Sequence, residues 1–435
     1  MNHRVKTLGF ALLTIAVAAL AVWQLPASRS ATLRVNAAVQ DNATPATFIS
    51  QFISQSLSDF SHAASFTELQ NGDWLAVWFS GSREGADDVQ ITQARYDFRT
   101  QQWQPTKTLL TREQLIAGQQ LFSGKLGNPV IATAPDGKLW LFVVAATYFG
   151  WGSSTINLML SDDNGVSWSP AKRLHLSPLF NLSSLVRNAP LFYDDGSVGL
   201  PMYRESAGKF PQWLRLNQYG EVIDQVRVND GRHSLQPAIV AFDAQQMTML
   251  MRSADGKTKR VLAAQSNDAG LSWSAEMTMP IANPNSGLSA VQYDDDEMLV
   301  ALNDVEKGRH QLSLYRVDRQ LKNWHKLSTI ESSALPDGQQ RAPYEISLPL
   351  LQQALARNQA DNPVLDSAAY LANLARDNER LCDGKKGCEF YYDYPYLYRD
   401  HRDRFHLLYS WNKSFIKHVV FNRAHVEKIS EEQTR

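Results

Sequence analysis

Charged and aromatic residues gather at a few recurring places along this 435-residue chain. Ser80-Gly81-Ser82-Arg83-Glu84-Gly85-Ala86-Asp87-Asp88 follows one apolar run, and Tyr203-Arg204-Glu205, Arg252-Ser253, Asn303-Asp304 and Trp411-Asn412 follow others. His62, Asn128, Arg187-Asn188, Gln236, Asn285-Ser286 and Tyr394 each stand just before such a run. A lone Arg or Glu in a loop is ordinarily solvated or ion-paired. Several guanidiniums drawn together from separate segments repel one another unless an anion sits among them, and the Arg fork matches carboxylate geometry. The pattern therefore points to a small carboxylate-bearing ligand. Tyr203, Tyr394 and Trp411 would supply aromatic walls for a sugar face.

A repeated element has to hold these residues in place. The octet S-x-D-x-G-x-S-W occurs at Ser161–Trp168 and again at Ser266–Trp273. In it the Asp caps backbone N–H groups, the Gly takes a positive φ, and the Trp folds back over the loop. Weaker copies end in Trp103 and Trp324, and Asn217 to Gly220 is a degraded member. Between them lie six strand-turn-strand units. Their turns are Asn71-Gly72, Asp136-Gly137, Asp195-Gly196, a looser turn near 244, Asp295-Asp296, and Arg399 to Asp403. Apolar runs around Asn-Gly or Asp-Gly are hairpin signals. A unit of about 50–60 residues repeated six times predicts an all-β, six-bladed propeller over 51–425. The hairpin turns and Trp turns share one face, so the charged residues converge on the other.

Ala/Leu-rich helical spacing at Ser347–Arg357 and Asp366–Arg376 predicts a helical insertion over 344–390, between blades five and six. Cys382 and Cys388 flank a short Gly-containing loop within it. They are expected to form a disulfide, because residues 1–30 read as an export signal or an uncleaved anchor. The charge-free stretch 7–25 would carry any membrane association. Residues 31–50 read as a flexible lead and 426–435 as a polar tail. The remainder is thus placed in the periplasm or outside the cell, or on the inner membrane if the segment is retained. Lys plus Arg number 43 against 44 Asp plus Glu, so there is no basic field for nucleic acid. Zinc, phosphate-loop and serine-elbow motifs are absent from the sequence, so neither a metal nor a cofactor is expected.

The octets, with Phe79 to Val89 and Ile416-Lys417-His418-Val419, resemble the bacterial sialidase-like BNR-repeat family over roughly 55–425. The resemblance implies an exo-glycosidase acting on sialic acid or a related acidic sugar. It implies an arginine triad for the substrate carboxylate, with Arg252 and Arg309 at the second and third positions. Tyr394 falls where the nucleophile belongs and Asp88, then Asp87, where the acid belongs. A tyrosine nucleophile suits a sugar whose anomeric carbon bears a carboxylate, which would repel a carboxylate nucleophile. Two positions depart from the family pattern. His62 stands where the Phe-Arg-Ile-Pro arginine is expected, leaving Arg83 or Arg187 to replace it, with Arg204 nearby. Gln236 stands where the tyrosine's glutamate partner is expected, leaving Glu205, Glu345 or Glu389 as substitutes. Asn128, Glu84, Trp411 and Asn412 complete the expected binding surface. Two other readings remain open. One is a uronic-acid polymer hydrolase or lyase using Arg83, Glu84 and His62. The other is a non-catalytic glycan-binding propeller.

Overall fold

A computed structural model describes residues 31–35, 44–53, 60–119, 122–333 (apart from 148–149, 178–180, 182, 207, 229–230 and 232), 341–342, 349–350, 352–353, 356, 382–383 and 387–434. Six antiparallel sheets succeed one another around an axis. The inner hairpins of blades one to six pair Phe60–Glu68 with Trp74–Gly81, Lys125–Thr133 with Leu139–Ala146, and Leu191–Phe192 with Val198–Arg204. They continue with Ser234–Ala241 and Met247–Ser253, Ser289–Gln292 and Glu297–Leu302, and Tyr392–Arg399 and Arg404–Trp411. Where the turn holds Gly, as at Gly72 and Gly137 (φ 86° and 88°), that residue closes the bend. Blades four to six use an Asp carboxylate instead. Asp243 Oδ1 accepts from the N–H of Gln245 and Gln246, Asp294 Oδ1 from Asp296 and Glu297, and Asp400 Oδ1 from Arg402 and Arg404.

Both full octets fold as their residues dictate. Asp163 Oδ1 accepts from Ser167 N at 2.9 Å and Ser161 Oγ from Gly165 N at 2.9 Å, and Asp268 and Ser266 repeat both bonds. In the copies that lack Gly, Gln101 and Leu321 take the positive φ themselves, at 54° and 64°. Apolar side chains fill the seams between neighbouring blades: Trp140 and Phe142 of blade two pack with Leu200 and Leu214 of blade three.

Several segments differ from expectation. The lead is not free. Phe48–Phe52 pairs with Phe415–Asn422 as the outer strand of blade six, closing the ring and covering an edge that would otherwise be open. Ala31 and Leu33 are buried, and Leu33 N donates to Ala244 O at 2.9 Å. The polar tail is the end of a helix, Arg423–Thr434, capped by Asn422 Oδ1 on His425 N and anchored by buried Val426. A second helix, Arg112–Gln119, starts at a capping box: Thr111 Oγ1 accepts from Gln114 N, and Gln114 Oε1 from Thr111 N. The expected helical insertion and the export segment lie almost wholly outside the described residues. Within a small sheet there, Cys382 and Cys388 are register partners. Among the described residues no helix is long and apolar enough to cross a membrane.

Blade six buries two histidines on adjacent strands. Their rings stack at 5.2 Å, with His406 Nδ1 3.0 Å from His418 Nε2, and His406 Nε2 lies 3.2 Å from Asp400 Oδ2. Burial pushes the His406 pKa down despite Asp400, and burial with the charges of His406 and Arg404 pushes His418 down further. A histidine kept neutral only in the folded state contributes its full stability above the unfolded pKa of about 6.5. That contribution is lost progressively as pH falls below this value toward the lowered folded-state pKa. Melting temperature is expected to drop between pH 7 and pH 5, and to drop less in His418→Phe.

Candidate active site

The inner strands of blades one, two, four and six each break register near their start. The breaks lie between His62 and Ser65, Gly127 and Val130, Leu235 and Ala238, and Asp393 and Tyr396. One residue in each bulge has a positive φ: Ala63 (54°), Asn128 (41°), Gln236 (51°) and Tyr394 (55°). For a residue with a side chain this conformation costs on the order of 1–3 kcal/mol, and it re-aims that side chain out of the pleat. Here the re-aimed groups meet. Gln236 Nε2 donates to Tyr394 Oη at 3.0 Å and to Tyr203 Oη at 3.3 Å, and Asn128 Nδ2 reaches Tyr203 Oη at 3.4 Å.

Tyr394 faces a cavity of about 450 Å³ lined also by His62, Glu84, Arg252, Pro284, Gly308, Arg309, Tyr391 and Lys413. The cavity lies at the end of the inner hairpins away from their turns. Its walls come from blades one, four, five and six, so the fold brings Arg252, Arg309, Glu84, His62 and Tyr394 together. Arg309 Nη1 donates to the buried Asp393 Oδ2 at 2.6 Å, and its guanidinium lies 5.6 Å from the centre of the Tyr394 ring. Burial opposes the charge on Arg309, but Asp393 and Tyr394 outweigh it and hold the group above its usual range. Burial would likewise push the Asp393 carboxyl up, and His62, Arg309 and Lys413 together bring it below the usual range. The His62 ring sits 4.2 Å from that of Tyr394, with Nδ1 on Ser410 Oγ at 2.9 Å. Burial lowers the His62 pKa to about 3, so blade one contributes a neutral imidazole where the family pattern expects a guanidinium.

Glu84 is exposed at the rim, yet enough of the protein surrounds it that burial pushes its carboxyl up. Lys413 resists this shift and Asp393 adds to it. The effect is to favour the protonated acid beside the phenol.

Other expected residues are placed elsewhere. Arg187 is buried at the axis and spends its guanidinium on backbone. It donates to Ala64 O at 3.1 Å, Tyr394 O at 2.6 Å and Pro395 O at 3.2 Å, which ties blade three to the bulges of blades one and six. Burial lowers its pKa to about 10, so it remains charged. Arg204 is drawn into blade three by Gln212 Oε1 at 2.6 Å. Arg83 is exposed and absent from the cavity wall. Asp88 closes its own loop, its two oxygens accepting from Ser82 N at 2.9 Å and Ser82 Oγ at 3.0 Å, while Asp87 pairs with Arg112 at 3.1 Å. Neither lines the cavity. Glu205 acts at one remove. With burial as the larger cause, its charge and that of Tyr394 push the Tyr203 phenol far up. Trp411 is core, against Phe52 and Phe415, rather than a sugar platform. Asn412 turns the chain through Tyr391, accepting its N–H at 3.0 Å. Glu345 lies outside the described residues. Lys413, Tyr391 and Asp393 were missed. Lys413 adjoins Asn412 and Asp393 adjoins Tyr394, so adjacency to a singled-out residue was their only signal, and Tyr391 had none.

A family model for the BNR repeat-like domain matches residues 72–407. A search of curated proteins finds no match. Among solved structures, the NanB sialidase from Streptococcus pneumoniae (K499G mutant) superposes with TM-score 0.60 at 12% identity, covering 89% of this chain and 73% of that one. The intramolecular trans-sialidase from Ruminococcus gnavus gives 0.60 at 11%, covering 86% and 96%. The Hadza microbial sialidase Hz136 gives 0.59 at 13%, and the match covers 84% of this chain but 66% of that protein's length. At such identities these likenesses establish the fold alone. The family match covers most of the chain, so the protein belongs to the BNR repeat-like family, on a propeller fold shared with these sialidases.

Proposed function

We propose that the protein is an exported retaining glycosidase that removes a terminal acidic sugar, sialic acid or a close relative, from glycans. The observation that carries this reading is Tyr394. Its hydroxyl is held at 3.0 Å by Gln236 in a cavity that also presents two arginines and a carboxyl favouring its acid form. Arg252 and Arg309 take the sugar carboxylate. Glu84 protonates the glycosidic oxygen as the bond to the anomeric carbon breaks, and Tyr394 Oη attacks that carbon as its phenolic proton passes to solvent water. Glu84, now a carboxylate, then draws a proton from water whose oxygen displaces the tyrosinate, which takes a proton back from solvent. In this scheme Glu84 takes the acid's role in place of Asp88, and Arg187 positions Tyr394 from below.

Gln236 bears on the rate. An amide donates to and orients the phenol but cannot take its proton, so attack proceeds without a general base. Gln236→Glu is expected to raise kcat on an aryl sialoside by about 10²-fold, within the usual worth of general-base catalysis. Steady-state hydrolysis of a fluorogenic sialoside tests this, with NMR identifying the first-formed anomer. No sialoside or uronoside turnover in either form would sink the glycosidase reading. Gln236, an amide where a base is expected, favours one second reading, a propeller that binds an acidic glycan without cleaving it.

A further inference from the structure

We infer that Lys413 is the third cation of the carboxylate clamp, supplied by blade six where blade one has lost its arginine. The inference rests on the acidic-sugar reading above and names a residue that reading does not require. Three independent observations meet at Lys413.

First, blade one offers no charge. His62 is buried, neutral and bonded to Ser410, while the guanidinium of Arg187 is committed to three carbonyl oxygens. Second, Lys413 is built into the vacant side of the cavity. Asn412 and Lys413 take positive φ in succession, 49° and 54°, directly after the second strand of blade six. Two such residues in a row are the central pair of the tight hairpin turn into Phe415–Asn422, with Ser414 N donating to Trp411 O at 3.2 Å, and this turn carries Lys413 to the strand end beside the cavity. Lys413 O accepts from Ser61 N at 2.7 Å, which fixes the turn beside His62. The ammonium then lies 4.1 Å from the centre of the Tyr391 ring, on the cavity wall. Third, among the described residues no carboxylate pairs directly with this charge, although Glu84 and Asp393 lie within its electrostatic reach. Among the described residues no carboxylate comes within ion-pair distance of Lys413 or Arg252, and Arg252 Nε is buried without a hydrogen-bond partner. Arg309 is partly neutralised by Asp393. Three cations thus face one space, and an anionic group on the ligand would relieve their repulsion. An ammonium is a point charge with rotatable donors, whereas an arginine offers a planar fork. The clamp should therefore hold the carboxylate bidentately from one side and by a single charge-assisted bond from the other.

Calorimetric titration of N-acetylneuraminic acid, its methyl ester and galacturonic acid into the wild type, Lys413→Met, Lys413→Arg and Arg252→Met tests the assignment. Lys413→Met should weaken binding of the preferred acid by about 10- to 100-fold, the worth of one charge-assisted hydrogen bond. It should change binding of the neutral ester less than about 3-fold, and Lys413→Arg should restore most of the acid affinity. Equal loss for acid and ester would mean a merely structural role and would overturn the assignment, as would unchanged acid binding in Lys413→Met. If acid binding depends on Arg252 but not on Lys413, the clamp loses only this member. If neither acid binds the wild type, the acidic-sugar reading falls and takes Lys413 with it.

Discussion

Tyr394→Phe is expected to lower kcat on any cleaved acidic glycoside by on the order of 10³-fold or more, because it removes the atom that bonds to the anomeric carbon. KM should change far less. The phenol lies among groups that would bind the sugar, but the clamp cations belong to other side chains. The fold should survive, since the ring keeps its packing against His62 and its place beside the Arg187 and Arg309 guanidiniums, 5.2 and 5.6 Å from its centre. The bulge that turns Tyr394 into the cavity depends on its backbone carbonyl, which Arg187 holds whatever side chain is present. Steady-state kinetics with a matched thermal melt separates lost chemistry from lost structure. A Phe variant that retains most of its turnover would remove Tyr394 from the mechanism.

Glu84→Gln should be nearly as damaging, by about 10²- to 10⁴-fold in kcat for a natural sugar leaving group, and much less for an activated aryl group that departs without a proton. It should also reshape the pH profile. Burial raises the Glu84 carboxyl, so the acid form needed for protonation persists to higher pH than for a free glutamate and is lost as pH rises through the shifted value. The alkaline fall in wild-type activity should therefore disappear in the Gln variant, leaving a low, flat rate. Asp88→Asn should by contrast disturb only the loop it closes through Ser82, leaving the pH profile in place.

The scaffold could be read from the chain because its signals are local. Asp-Gly turns, octets and alternating apolar runs each specify a few neighbouring residues, and six of them in order imply a ring. The closing strand Phe48–Phe52 could not be read that way, because its partner lies more than 360 residues later. Chemistry-bearing residues were harder still. Arg187 and Arg252 occupy similar places beside their strands. Whether a guanidinium enters the cavity or grips a carbonyl depends on the bulges of other blades. Trp411 fell at a plausible site position, yet alternation along its strand turns it into the seam against Phe52. Lys413 follows it by two residues because a pair of left-handed residues carries the chain past the strand end before a side chain can face inward. In the loop 80–88 three acids compete. Ser82 occupies Asp88, Arg112 occupies Asp87, and Glu84 alone is left at the cavity, a choice made by contacts that no motif records.

The most direct test of the account is peptide mapping by mass spectrometry after incubation with a fluorinated sialosyl donor that forms a glycosyl-enzyme but releases it slowly. The account predicts one sugar per chain, attached to Tyr394 and absent from Tyr394→Phe. Turnover of the unmodified sialoside with inversion of the anomeric centre and no adduct, or an adduct on another residue, would contradict it.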